Sequence, residues 1–313
     1  MKKLSFIIPC YKSEYTVADV IDEAVKVVSR MKNYDYEIIA VNDHSPDRVM
    51  SVLETYATRN PKIKIIAFAK NFGQHAGIMA GIRHSDGDYL VILNDDGQCP
   101  LDKLPELLMP MENGADVSIA RYGEKSQSFL RNVCSKANNF TAALLTGMPK
   151  DIQIGNFFVL NRFIAEWVAE YQGPYPYVDS LFCRASDRIV NVPMKERSRT
   201  YGRSTYTFRK LFMHWVSSLT AFSIVPLRFS SVMGAIIAII GMIYAAYIVL
   251  RRLVGGSDVT LIGWSSLMAA MLLLGGLVLL VLGIVGEYVG RIYMSLVKTP
   301  QYVIERTVNF QSE

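Results

Sequence analysis

The sequence predicts an α/β domain built on a mostly parallel sheet, followed by a C-terminal pair of membrane-spanning helices. Three observations predict it. Residues 1–120 alternate short apolar runs with stretches of helical period. Two later runs, 229–250 and 259–286, contain no Asp, Glu, Lys or Arg over 22 and 28 residues. A basic cluster stands directly ahead of the first run. The chain has 313 residues, room for about two domains. At 51% hydrophobic and 19% charged it is not a disordered chain. Its mean hydropathy of +0.21 is high for a soluble enzyme, and the two charge-free runs account for that.

Taken in order, Leu4–Ile8, Glu37–Val41, Ile63–Phe68, Tyr89–Leu93 and Val117–Ala120 read as buried strands. Between them, Val17, Val20, Ile21, Ala24, Val25, Val28 and Met31 recur at helical spacing, with Thr16 as the expected N-cap. Arg48–Thr58 and Ala76–His84 read as the next helices. Strand alternating with helix implies parallel strands with helices on both faces. The stretch 126–193 is less regular. Leu130–Thr146 reads as a helix, Phe157–Leu160 as a strand, Arg162–Tyr171 as a helix and Arg188–Val192 as a strand. In Thr207–Phe222 a helix would gather Phe208, Leu211, Phe212, Trp215, Leu219 and Phe222 on one face. That suits a helix lying in the membrane interface, or a core helix docked on the first domain.

A helix of 22 residues is about 33 Å long, against about 30 Å of hydrocarbon. The expected layout is therefore a first domain over 1–206, an interfacial helix over 207–228, spans over 229–253 and 259–286, and a tail over 287–313. Two spans return the chain to its starting side. The basic residues flanking them place the first domain and the tail in the cytoplasm, on a multi-pass protein of the inner (plasma) membrane. The N-terminal apolar run, Leu4–Ile8, is too short for a signal peptide. Cys10, Cys99, Cys134 and Cys183 form no CxxC pair, which argues against a zinc or dithiol site. Net charge is +5, and 193–228 carries seven basic residues against one acid. Beside a span, such a cluster suits lipid phosphate better than nucleic acid, which is not expected as a partner. Small residues such as Gly275 and Gly276 in the second span favour packing between copies, as a dimer or tetramer.

In an open parallel sheet, ligands bind beyond the carboxyl ends of the strands. Pro9-Cys10-Tyr11 with Glu14 follow the first strand, and Asn42-Asp43-His44-Ser45-Pro46-Asp47 the second. Lys70-Asn71-Phe72-Gly73-Gln74 follow the third, and Asn94-Asp95-Asp96-Gly97-Gln98 the fourth. Four successive strand ends deliver polar groups to one edge, which marks a ligand cleft. There is no GxGxxG or Walker loop. Acids at a strand end suit a hard divalent cation, Mg²⁺ or Mn²⁺, bridging to a diphosphate. Asp95, Asp96 and Gln98 are the candidate ligands; a plain surface turn is the alternative.

The segments SFIIPCYKSEYTV, VNDHSPD, KNFGQHAGIMAGIRHSDGDYLVILNDDGQCP, RSRTYGRSTYTFRKL and VGEYVGRIY resemble glycosyltransferase family 2. The nearest branch is the polyprenyl-phosphate glycosyltransferases, which include dolichol-phosphate mannose synthase and the bactoprenol glucosyltransferases. The resemblance implies a GT-A fold that binds a nucleotide-sugar. It places Pro9 and Tyr11 at the base, with Glu14 close by, Asp43 on the base, and Lys70, Asn71 and Asn94 along the donor. The family's metal motif, Asp-x-Asp-x-Gln, reads Asn94-Asp95-Asp96-Gly97-Gln98, so Asn94 replaces the first acid. Where many members have Gly-Asp-Phe-Arg, this chain has Gly155-Asn156-Phe157. Asn156 cannot act as a base, but a lipid phosphate is already anionic and needs little deprotonation. Arg197, Arg199, Arg203 and Lys210 follow the family's basic pattern approximately, and Arg131 and Ser135 fall where it has another phosphate-binding pair.

The implied reaction is inverting transfer from a UDP- or GDP-sugar to polyprenyl phosphate, for cell-envelope glycan modification. Asp96, Asp95, Asn156 and Arg199 are the candidate catalytic residues. Two rival readings stand beside it: transfer to another lipid such as diacylglycerol, and a nucleotide-sugar-binding scaffold supported by Asn94 and Asn156. A transporter is disfavoured, because the spans hold no internal ionisable residue.

Overall fold

The computed structural model describes residues 1–122, 152–174, 176–197, 264–297 and 299–310, with single positions between 227 and 250. The chain forms two compact units, one holding 1–211 and 298–313 and the other 212–297.

The first unit is built on strands β1 (Lys2–Cys10), β2 (Tyr34–Asn42), β3 (Ile63–Phe68), β4 (Tyr89–Ile92), β5 (Val117–Tyr122), β6 (Phe158–Asn161), β7 (Ile189–Met194) and β8 (Ile304–Val308). They form one sheet in the order β7-β5-β6-β4-β1-β2-β3-β8. The pairs β1/β2, β1/β4, β2/β3 and β5/β7 are parallel, whereas β4/β6, β5/β6 and β3/β8 are antiparallel. β1 is buried from Leu4 to Cys10. A central parallel strand is covered on both faces, and so it reads as a continuous apolar run.

One face carries α1 (Val17–Ser29), α2 (Val49–Arg59) and α4 (Leu104–Glu112), joined through Leu4, Phe6, Ile8, Val20, Ile21, Leu53, Leu104 and Leu108. The other carries α3 (Gln74–Arg83), α5 (Arg162–Ala169) and α6 (Val178–Ala185), with Ile7, Met79, Ile82, Ile164 and Phe182 in the core. α3 lies very close to β1. A Cβ on Gly81 would stand 2.3 Å from Ile7 Cγ2.

Several features differ from the sequence reading. Thr16 stands at the N-cap of α1 but makes no capping bond. Its hydroxyl donates instead to the Asp95 carbonyl, at 2.6 Å. α4 is an unpredicted helix, because Pro105 and Pro110 argue against one; Pro105 is tolerated in the first turn. β8 lies in the segment read as a separate tail, and it belongs to the sheet of the first unit. The expected helices Leu130–Thr146 and Thr207–Phe222 lie outside the described residues.

In the second unit, α7 (Trp264–Leu296) is 33 residues long and runs past the expected end at 286. Among the described residues, Leu274–Met294 is the stretch long and apolar enough to cross a membrane. The described positions of the first expected span, 229–253, are helical, and Val232–Gly241 is a shorter apolar helix. The described residues thus hold one candidate span where the sequence predicts two.

Candidate functional site

Four loops meet at the carboxyl edge of the sheet. Lys12 (φ 57°) and His44 (φ 49°) adopt left-handed backbone in the two loops that follow β1 and β2. For a side-chain-bearing residue this costs about 1–2 kcal/mol. Such strain persists where the surroundings enforce it, commonly at functional loops.

Here the enforcing contacts run between the loops. The Lys12 N–H donates to Ser45 Oγ at 2.8 Å, and Ser45 Oγ donates to Asp47 Oδ1 at 2.5 Å. The Glu14 N–H donates to Asp47 Oδ2 at 3.0 Å, while the Arg48 N–H donates to Glu14 Oε2 at 2.9 Å. Glu14 therefore latches one loop to the next, although the resemblance sets it beside the base. Asp47 and Ser45 were not anticipated, because their residue types are ordinary for a turn.

Asp43 is buried and staples the third loop. Its two carboxylate oxygens accept the N–H groups of Phe72 (2.6 Å) and Gly73 (2.8 Å). Burial raises its pKa, and these two donors oppose the rise. Asn71 Nδ2 adds a bond to the Asp43 carbonyl at 3.2 Å, and Lys70 Nζ lies 5.0 Å from the Phe72 ring centre. Gln74 Nε2 donates to Asn94 Oδ1 at 2.8 Å, tying the start of α3 to the end of β4.

The acids after β4 face different partners. Asp95 Oδ2 accepts the Tyr11 N–H at 3.0 Å, so this carboxylate holds the β1 loop. Burial pushes its pKa up to about 6; the Tyr11 donor opposes this and the Asp96 charge adds to it. Asp96 Oδ1 accepts the Gln98 N–H at 3.2 Å across Gly97, whose φ of 72° suits glycine. Gln98 Nε2 reaches Glu196 Oε1 (3.1 Å) and the Arg197 carbonyl (3.3 Å), and the Gln98 carbonyl accepts the Arg197 N–H at 3.2 Å. Gln98 thus anchors the 196–197 segment. Arg197, expected among the phosphate-binding residues, lies against two acids. Its guanidinium pairs with both Glu23 oxygens, at 2.8 and 2.9 Å, and with Asp102.

Asn156 is exposed just before β6. The register Ile92↔Phe158 brings it to the same edge as Asn94. Tyr11 is 44% exposed at that edge, with Lys12 Nζ 5.3 Å from its ring centre. The sequence also left out the start of α6. The Tyr177 ring lies 5.0 Å from His75 in the first turn of α3, and burial pushes Asp179 up to about 7. Arg131, Ser135, Arg199, Arg203 and Lys210 lie outside the described residues.

The raised Asp95 pKa has a testable sign. An unfolded carboxyl titrates near 4, so folded protein binds the extra proton between about pH 4 and about pH 6. Asp95 therefore makes the fold more stable below that window and less stable as pH rises through it. Denaturation midpoints recorded from pH 4 to pH 7 should show this slope in the parent protein and a shallower one in Asp95→Asn.

The sequence model of "Glycosyl transferase family 2" matches residues 5–167, more than half the chain and all the strand ends just described. The chain belongs to glycosyl transferase family 2. A second model, the "GtrB C-terminal hairpin", matches residues 225–292. This family 2 chain is 29% identical to the undecaprenyl-phosphate 4-deoxy-4-formamido-L-arabinose transferase of Proteus mirabilis, over 98% of this chain and 94% of that one. It is 26% identical to a prophage bactoprenol glucosyl transferase homolog of Escherichia coli, over 97% and 99%. The fold matches a Mycobacterium tuberculosis glucosyl-3-phosphoglycerate synthase solved with Mn²⁺ and UDP-glucose, with a TM-score of 0.50 and 16% identity. That match covers 70% of this chain and 77% of the other. The first unit of this family 2 protein is a GT-A fold with a mostly parallel sheet.

Proposed function

We propose that this protein transfers a sugar from a UDP-sugar to a membrane polyprenyl phosphate, such as undecaprenyl phosphate, with inversion. The observation that carries this reading is the single interlocked edge formed by Tyr11, Asp43, the 70–74 loop and Asn94–Gln98. It offers an exposed ring for a base and acids where a diphosphate would lie. Full-length likeness to an undecaprenyl-phosphate sugar transferase supports the acceptor.

In this reading a phosphate oxygen of the lipid attacks the anomeric carbon. The bond from that carbon to the diphosphate breaks, and its electron pair leaves with the nucleoside diphosphate. Asp43 and Asp95 hold the donor loops in shape, and neutral Asn156 orients the acceptor or a sugar hydroxyl. Arg131, Ser135, Arg199, Arg203 and Lys210 would bind the phosphates, as guanidinium forks suit. Arg197 is left out, since Glu23 and Asp102 already neutralise it.

The residues present fit a divalent metal of the Mg²⁺ or Mn²⁺ kind only as a partial ligand set. No group of three His, Cys, Asp or Glu is gathered for one among the described residues. Such ions accept that arrangement, taking one or two carboxylates and completing their shell with phosphate oxygens and water. Asp96 is the residue that would hold it, and the Asp95 carboxylate is turned to Tyr11. When bound, the metal would stabilise charge on the leaving diphosphate.

At the membrane we propose a two-span hairpin with the catalytic unit and tail in the cytoplasm. Two findings support it. The hairpin model matches 225–292. The chain also leaves the first unit near 211 and rejoins it at 298, so an even number of crossings fits. Gly275 and Gly276 support association as a dimer or tetramer.

The test is product formation by purified protein in detergent. Undecaprenyl phosphate, Mg²⁺ or Mn²⁺, and a panel of UDP- and GDP-sugars are combined, and the lipid fraction is read by mass spectrometry. A metal-dependent phospho-linked sugar is expected. Measurable nucleotide-sugar binding with no lipid-linked product from any donor would overturn the transferase reading in favour of a binding protein.

A further inference from the structure

We infer that Tyr302, in the segment that follows the last apolar helix, is a positioning residue for the donor-binding loop 70–73. The inference rests on the donor reading above. It deepens it by naming a residue far outside the matched catalytic region, 5–167.

The observation is a ladder of rings. The Tyr302 ring stacks on Phe68 with 5.1 Å between centres and 13° between planes. Phe68, the last residue of β3, meets Phe72 edge to face at 5.7 Å and 85°. Offset-stacked and edge-to-face arrangements are the favoured geometries for aromatic pairs. Phe72 is the residue whose N–H binds Asp43 Oδ1. The chain from tail to loop is thus three rings and one short hydrogen bond, all within the first unit.

The backbone reinforces the same junction. The Ala69 N–H donates to the Val303 carbonyl at 3.0 Å, immediately before Lys70. The β3/β8 register shifts between Ala67 and Phe68 and resumes at Phe68↔Ile304, so the ladder is irregular where the stacked rings meet it. Tyr302 is itself fixed. The Arg83 guanidinium lies 5.6 Å from its ring centre, while Arg83 donates to the Ala169 and Tyr171 carbonyls at 3.1 and 2.7 Å. The neighbouring Gln301 is buried and donates to the Tyr171 and Gly173 carbonyls at 2.9 and 2.7 Å. A tail serving only to cover the sheet edge would need the β8 ladder. It would not need an anchored ring packed beneath the loop.

The test uses the full chain in detergent. Hydrogen exchange of peptides spanning 69–74 is measured without nucleotide, alongside UDP affinity by calorimetry and the KM and kcat of transfer. In Tyr302→Ala, exchange in 69–74 should quicken. UDP Kd and donor KM should rise about three- to tenfold, as loss of an aromatic pair allows. kcat should stay within about twofold, and Tyr302→Phe should restore both readouts. Tyr302→Leu, which keeps the apolar contact and loses the stack, serves if the alanine variant fails to fold. Unchanged exchange and unchanged UDP affinity in a folded Tyr302 variant would overturn the inference. Failure of the parent protein to bind UDP would instead overturn the donor reading, and the exchange experiment would still report whether Tyr302 holds the loop.

Discussion

Asp96→Asn is expected to lower sugar transfer by about 10²–10³-fold, the loss typical when one preorganised charge-stabilising group is removed. The substitution keeps the shape of the side chain and an oxygen to accept the Gln98 N–H, so the turn through Gly97 should survive. It removes the negative charge from the acid that, in the proposed reading, would hold the metal. Asp43 holds Phe72 and Gly73, Asp95 holds Tyr11, and Glu14 and Asp47 hold each other's loops, so substitutions there act first on loop shape. Turnover at saturating donor and metal checks the expectation. A loss confined to low metal concentration, recovered by adding more, would locate the defect in metal affinity. Transfer at the parent rate would remove Asp96 from the catalytic group.

Asp43→Ala should be nearly as severe, and by a different route. It leaves the N–H groups of Phe72 and Gly73 without their acceptor. A fully buried orphaned donor costs about 1–3 kcal/mol, and these part-buried ones cost less, since water can reach them. The 70–73 loop should loosen, and UDP affinity should fall about 10- to 100-fold, with a lower denaturation midpoint. Asp43→Asn separates the two amides. One oxygen remains to accept a single N–H, so its affinity and midpoint should fall between those of the parent and Asp43→Ala. Calorimetric titration with UDP and denaturant melts on the three proteins check the order. If Asn behaved as Ala, charge rather than hydrogen-bond acceptance would be the decisive property.

Most of the sheet was legible because central parallel strands are apolar on both faces. β1 and β3 read as apolar runs, Leu4–Ile8 and Ile63–Phe68, interrupted only by Ser5 and Lys64, and they form where the pattern placed them. The site edge was legible for a related reason: a parallel sheet aims all its strand ends one way, so polar residues after each strand must meet. Which of these residues hold the loops to one another was not legible. Asp95 and Glu14 look like ligand-binding acids in sequence, yet each is engaged by a backbone N–H from a distant loop. Arg197 reads as a phosphate clamp until Glu23 and Asp102, 174 and 95 residues away, are folded against it. α4 was hidden by its prolines, and β8 by the long apolar segment that separates it from β3.

That last separation has a consequence for how the protein is made. β8 pairs with β3 through Ile65↔Val308 and Ile66↔Thr307, contacts between the first quarter of the chain and its final residues. A ribosome makes β3 well before β8, and the long apolar helix α7 emerges between them. Throughout that interval β3 is an unpaired sheet edge, the kind of surface on which nascent chains aggregate or exchange strands. The sheet of the first unit is therefore complete only after the long apolar helix α7 has been synthesised.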